Sequence, residues 1–224
     1  MQKGVEMMSK VSLQVIAEGR ARRLMALKDQ NIVADLLGGR VVIWDPKMGF
    51  NVFTAGFFGK PVGIRKPKLK PFDAPLELSL YEALYLLEKG VIKVRMMGQI
   101  AREGTTKIRV RDGEYLSPEE LIELGNLIYK DFSAKYKVYK DLRDKGYVVR
   151  PGLKFGSDFA VYRYGPGIDH APFLVTVFSS DIRLLGIDFV RAGRLANSVR
   201  KRWVIATILR DGSIRYFIFT WHRL

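Results

Sequence analysis

The chain has 224 residues, enough for one large domain or two small ones. Its 48% hydrophobic and 27% charged content is that of a folded protein rather than a disordered one. The absence of Cys excludes disulfides, thiolate catalysis and Cys-built zinc sites, and only two His, His170 and His222, argue against a histidine-built metal site.

No apolar run approaches the ~20 residues of a membrane helix. The segment from Met1 to Arg23 mixes Lys, Glu, Gln and Arg with Val and Met, which does not fit a signal peptide. The expectation is a soluble, cytoplasmic chain with no membrane partner. Lys and Arg number 38 against 23 Asp and Glu, a net charge of +15. Such an excess suits a polyanionic partner, above all nucleic acid. Residues 131–224 hold 17 basic residues against eight Asp and no Glu, so the C-terminal part is the more basic per residue.

In chain order, the loose alternation of Lys10–Gly19 predicts a strand. A basic helix is expected over Arg20–Leu27 and a short one over Ile32–Leu37, stopped by Gly38-Gly39. Arg40–Trp44 and Gly49–Thr54 read as strands joined by a turn at Asp45–Met48. Residues 57–74 show no periodicity. They carry Lys60, Arg65, Lys66, Lys68 and Lys70 among Pro61, Pro67 and Pro71. This is either a solvated connection or a basic arm laid along a phosphate backbone.

Ser79–Glu82 is a capping box opening a helix to about Lys89, and Val91–Arg95 a short strand. Ser117-Pro118-Glu119-Glu120 opens another helix, to about Tyr129. Beyond it, a helix over Ser133–Lys145 leads to strands over Tyr147–Arg150, Asp158–Tyr164 and Phe173–Phe178. A helix over Phe189–Arg200 precedes a hairpin of Trp203–Leu209 and Ile214–Trp221 around Asp211-Gly212. The fold class is α/β (α+β). Residues 1–130 form a small mixed domain with the basic loop 57–74 inserted. Residues 131–224 form a second domain, a central mixed sheet flanked by helices.

His170 follows the run Gly165-Pro166-Gly167-Ile168-Asp169. Tyr162 and Tyr164 stand eight and six residues upstream, on one strand face. A Gly/Pro loop can bring His170 beside either phenol. In Arg191–Arg202 five of twelve residues are basic, and Arg194, Ser198 and Lys201 share a face if the helix reaches Lys201. A phenol, an imidazole and an ammonium together suggest metal-free cleavage of RNA. The 2′-hydroxyl attacks its own phosphate, given a base, an acid for the leaving oxygen and a cation for the phosphorane. Tyr is an awkward base at its reference pKa of ~10 and needs cationic neighbours to lower it.

Three blocks then resemble the catalytic domain of the tRNA-splicing endonuclease family. They are DLRDKGYVVRPGLKFGSDFAVY (Asp141–Tyr162), GPGIDHAPFLV (Gly165–Val175) and RLANSVRK (Arg194–Lys201), in the family's order. The N-terminal part resembles the family's smaller α/β domain, and the Lys/Pro loop resembles an insertion of one archaeal branch associated with a broader substrate range. The resemblance implies a Tyr-His-Lys triad: Tyr162 as base, His170 as acid, Lys201 as stabiliser, with Tyr164 the alternative phenol. It implies arginines that sandwich a bulged base, matched by Arg194 and, more loosely, Arg215. Lys60, Arg65, Lys66 and Lys68 become candidate RNA contacts.

The implied substrate is precursor tRNA with two short bulges flanking a short helix. The implied products are a 2′,3′-cyclic phosphate and a 5′-hydroxyl, with no cofactor or metal. The family also implies dimer pairing through the last strand and an acid-rich hairpin loop inserted into a neighbouring subunit. Here that loop, Arg210–Ser213, has a single acid. The expectation is therefore an α2β2 heterotetramer with a paralogous, non-catalytic subunit. Three other readings compete: a non-catalytic RNA-binding subunit of the same assembly, a metal-dependent nuclease, and a ribosome-associated protein. The scattered Asp of the C-terminal part disfavour the metal-dependent one.

Overall fold

A computed structural model describes residues 2–98, 112–179 and 181–219, with side chains from Gln14 onward. The chain divides into two compact units. One spans Glu18–Ser133; the other holds the chain from Ala134 together with the N-terminal part of the first helix.

That helix, α1 (Gln2–Met25), replaces the expected strand at 10–19 and absorbs the expected basic helix. Alternation of Val11, Leu13 and Val15 spans only five residues. The Lys, Gln, Glu, Ala, Leu, Met and Arg around them favour helix. Then follow β1 (Ile32–Leu37), β2 (Arg40–Ile43), α2 (Pro46–Gly56), β3 (Lys60–Pro61), β4 (Leu76–Leu78), α3 (Leu80–Glu88), β5 (Ile92–Met96) and α4 (Pro118–Ile128).

The expected helix at 32–37 is strand β1, because Ile32, Ala34 and Leu36 alternate into the core. The two glycines do not cap a helix. Gly38 (φ 53°) and Gly39 (φ 94°) form the two-residue turn of a β1–β2 hairpin, with Leu37 opposite Arg40. The expected strand at 49–54 is helix α2. Asp45 accepts the Met48 N–H at 2.9 Å as N-cap, and Pro46 takes the first helical position. Asp-Pro thus opens a helix rather than the expected turn.

The sheet order is β3-β4-β2-β1-β5, with β1 and β5 parallel. Its inner face buries Ile32, Ala34, Leu36, Val41, Ile43, Leu76, Leu78 and Val94 beneath α2 and α3. Both expected capping boxes are present. At α3, Glu82 also accepts the Gly59 N–H at 2.9 Å, which fixes the start of the basic loop. The loop is pinned again where Phe72 meets Phe50 and Phe53 edge-on. Lys60, Arg65, Lys66, Lys68 and Lys70 are all exposed.

The second unit contains α5 (Phe132–Asp144), β6 (Val148–Pro151), β7 (Phe159–Tyr162), β8 (Phe173–Ser179), α6 (Gly186–Ser198), β9 (Arg202–Ile208) and β10 (Ile214–Phe219). The sheet order is β10-β9-β8-β7-β6. Only β8 and β9 are parallel, joined by the α6 crossover. On one face Ala160, Leu174, Trp203 and Ile205 pack with Ala196 of α6. On the other, Tyr139 of α5 meets Phe159, Lys135 pairs with Asp158 at 2.8 Å, and the Tyr216 hydroxyl donates to Asp141 at 2.6 Å. This is the expected mixed sheet between helices. The expected strand end at Trp221 and His222 lie outside the described residues. Among the described residues no helix is long and apolar enough to cross a membrane.

Candidate active site

The register of β7, β8 and β9 builds the site. Val161 of β7 lies opposite Phe173 of β8, and Phe173 lies beside Arg202 of β9. The Arg202 N–H donates to the Pro172 carbonyl at 2.9 Å. The last residue of β7 and the residues just before β8 and β9 therefore share one end of the sheet. These are Tyr162, His170 with Ala171, and Lys201.

Tyr162 is half-buried against the Ala160, Ala171, Leu174 and Trp203 cluster. Burial raises its phenol pKa, the Asp169 carboxylate adds to the rise, and the Arg150 guanidinium opposes both. The phenol is thus neutral at neutral pH, contrary to the lowering that the sequence argument asked for. Strand β7 ends at Tyr162, so Tyr164 lies beyond it, exposed. The two phenols are not on a common strand face.

His170 is exposed at the end of a loop held by its neighbour. The Asp169 carboxylate accepts three consecutive backbone N–H groups: Arg163 at 3.1 Å, Tyr164 at 3.2 Å and Gly165 at 2.7 Å. The Asp169 N–H returns to the Gly165 carbonyl at 3.1 Å. A segment that reads as flexible from its glycines is in fact a closed turn around one carboxylate. Sequence reasoning missed Asp169, because an acid after a Gly/Pro run carries no signal of which donors it will face.

Lys201 does not continue α6. The helix ends at Ser198, and Arg200 takes a left-handed φ of 53°. The Arg200 N–H donates to the Asn197 carbonyl at 3.0 Å and the Lys201 N–H to Ala196 at 2.8 Å, a Schellman stop without the usual glycine. The expected shared helical face of Arg194, Ser198 and Lys201 is therefore absent. The turn sends Lys201 across to the β8 side. Its Nζ donates to the Ala171 carbonyl at 2.7 Å and lies 5.4 Å from the centre of the Phe155 ring. Desolvation lowers its pKa and Asp169 opposes the fall. Tyr162 and Lys201 thus both feel the carboxylate that pins the loop between them.

Arg194 is exposed on α6. Arg215 is exposed on β10 opposite Thr207, five residues along β9 from Arg202, or about 17 Å at 3.3 Å per residue. The structure does not bring Arg215 to the triad within one chain. In the last hairpin, Asp211 accepts the Ser213 N–H at 2.8 Å and its hydroxyl at 2.7 Å, so the loop's one acid is held inside the turn. Among the described residues no three His, Asp or Glu side chains gather as a metal site.

Comparison with known proteins agrees with this architecture. The family model for the tRNA intron endonuclease catalytic C-terminal domain matches residues 132–216, and that for the N-terminal domain matches residues 32–103. The tRNA-splicing endonuclease of Hyperthermus butylicus is 45% identical over 193 residues, 86% of this chain and 99% of that protein. Those of Pyrobaculum aerophilum (42% over 197 residues) and Saccharolobus islandicus strain M.14.25 (40% over 195 residues) are each covered in full, by 86% of this chain. With both domain models matched in order and relatives covered end to end, this chain belongs to the tRNA-splicing endonuclease family.

Proposed function

We propose that this chain is the catalytic subunit of a cytoplasmic tRNA-splicing endonuclease. It cuts precursor tRNA at bulge-helix-bulge sites, without metal or cofactor, to a 2′,3′-cyclic phosphate and a 5′-hydroxyl. Residues 131–224 serve as the nuclease domain and residues 1–130 as the accessory α/β domain.

The observation that carries the reading is the convergence of Tyr162, His170 and Lys201 at one end of the C-terminal sheet. Tyr162, in the small fraction of chains whose phenol has ionised, takes the 2′-hydroxyl proton as that oxygen attacks phosphorus. His170 gives a proton to the departing 5′ oxygen. Lys201 holds the charge on the phosphorane. An ammonium has three donors; one is fixed on Ala171, leaving the others to face phosphate oxygens.

Arg194 and Arg215 are the proposed stacking arginines. The place of Arg215, opposite Thr207 and five residues along β9 from Arg202, suits its acting on RNA held by a neighbouring subunit. Exposed Phe217 and Ile218 on the edge strand β10 support the proposed dimer contact. The self-contained Asp211 turn supports a paralogous partner that supplies the acidic loop, in an α2β2 assembly. Lys60, Arg65, Lys66 and Lys68 serve as phosphate contacts.

The test is cleavage of a bulge-helix-bulge RNA in excess EDTA, with and without a copurifying paralogue, followed by end-group analysis. Cyclic phosphate and 5′-hydroxyl ends are expected. Loss of cleavage on chelation, or 5′-phosphate ends, overturns the mechanism.

A further inference from the structure

Among the described residues, α2 and α3 pack on one of the two faces of the N-terminal sheet. The register lays out the other. One row crosses the whole sheet through Lys60, Glu77, Val42, Asp35 and Arg95, and Arg95 bridges to Tyr115. Asp35 pairs with Val42, so the next outward residue along β2, Trp44, falls opposite Val33, which lies beside Lys93.

Two large aromatic side chains stand out of this face, Trp44 and Tyr115, each 54% exposed. An exposed Trp is ordinarily free to rotate, but this one is fixed. Its indole N–H donates to Asp35 Oδ2 at 2.9 Å. Asp35 is buried and is clamped by Arg95, whose Nε and Nη2 donate to the two carboxylate oxygens at 2.8 and 3.1 Å. The polar edge of the indole is thus spent inside the sheet, and its π surface is what remains for a ligand.

Among the described residues, Arg40, Lys60, Lys93 and Arg95 share the face with the carboxylates of Asp35 and Glu77, and Asp112 also acts on Arg95. Asp35 is internal to the clamp, and Glu77 lies 3.9 Å from Arg40. Lys93 Nζ sits 6.0 Å from the centre of the Tyr115 ring. Rigid aromatics among cations on an open sheet face are the arrangement on which unpaired bases stack while lysines and arginines follow the backbone.

We propose that this face is a second RNA contact, in which an unpaired nucleotide of the precursor tRNA stacks on Trp44 with Arg40 and Lys93 on its phosphates. The proposal rests on the tRNA-endonuclease reading and assigns a part of the substrate to a surface remote in sequence from the triad.

The test uses the whole enzyme with its partner subunit. Equilibrium binding of precursor tRNA is measured for wild type, Trp44→Ala and Trp44→Phe. Loss of one stacked base weakens binding by about 5- to 100-fold, so Trp44→Ala is expected to lie in that range. Trp44→Phe also loses the bond to Asp35 but keeps a ring, and is expected to recover most of the affinity. RNA is also expected to quench a tryptophan emission component present in wild type and missing in Trp44→Phe.

Equal loss in both variants means that the Asp35 bond, not stacking, matters, and overturns the proposal. So does unchanged affinity in both. If Trp44→Ala alters the sedimentation of the assembly but not RNA affinity, the face is a protein interface and the RNA assignment is wrong. Wild-type cleavage of the same RNA tests the underlying reading separately, whichever way the Trp44 variants behave.

Discussion

Replacing Asp169 by Asn removes a charge while keeping the side-chain shape. The native carboxylate serves three N–H donors with two oxygens, Oδ2 for Arg163 and Tyr164 and Oδ1 for Gly165. An amide has one oxygen. Turned toward Gly165 it abandons two donors; turned the other way it abandons the shortest bond. Either way an NH2 group faces a backbone N–H. A hydrogen bond to a charged group contributes about 1.5–3 kcal/mol, and partial exposure places the loss near 2 kcal/mol. If the loop is competent only when closed, 2 kcal/mol lowers its closing equilibrium constant by about 30-fold, and the competent fraction by up to that factor where closure is marginal.

The assay is single-turnover cleavage at saturating RNA, with RNA affinity measured in parallel. The expected result is a rate lower by up to about 30-fold with affinity little changed. The alkaline limb of the rate should also move to lower pH, because Asp169 raises the pKa of Lys201, whose proton the phosphorane needs, and the rising limb set by the Tyr162 phenolate should move the same way. A variant within threefold of wild type, or one whose whole loss lies in RNA affinity, would refute the argument.

Further outcomes follow from the same structure. Lys201→Ala should cost about 10²–10³ in cleavage rate. Lys201→Arg should extend activity to higher pH, since burial makes Lys201 lose its proton earlier than an ordinary lysine and a guanidinium does not; coincident alkaline limbs would sink the assignment. Arg200→Gly should raise stability by about 1 kcal/mol, or 2–4 °C in melting temperature, by relieving the left-handed residue of the Schellman turn; a lower melting temperature would contradict it. Tyr216→Phe should lower stability by about 1–2 kcal/mol through its bond to Asp141, read by chemical denaturation. The Tyr216 phenol should also stay out of a spectrophotometric alkaline titration of the folded protein, since burial and Asp141 push it far up.

Much of the second unit was legible because its signals agree across levels. The β9–β10 hairpin turns around Asp211-Gly212 as that pair predicts, and β7, β8 and β9 form where their apolar runs put them. The failures in the first unit have a common cause: local signals with two physical meanings. Asp45-Pro46 opens a turn or a helix equally well. Gly38-Gly39 ends a helix or turns a hairpin. Only tertiary burial of Ile32, Ala34 and Leu36, or of Val52 and Phe53, decides between them. At the site, residue types and order were readable from three motif blocks, but their mutual geometry was not. Lys201 reaches Ala171 because an arginine, not a glycine, stops α6, and no residue preference announces that.

The parallel pairing of β8 with β9 also sets when the enzyme becomes an enzyme. Tyr162 and His170 are eight residues apart and are joined by a tight antiparallel turn that forms locally and fast. Lys201 reaches them only after the chain from Ser179 to Arg202 has crossed over through α6 and closed a long-range parallel ladder. Contacts of that sequence separation are the slow ones in folding. A newly made or refolding chain therefore brings Tyr162 and His170 together before Lys201 joins them. Ribonuclease activity should appear as a late kinetic phase, after most helical signal has returned, so that partly folded chains are harmless to the RNA around them.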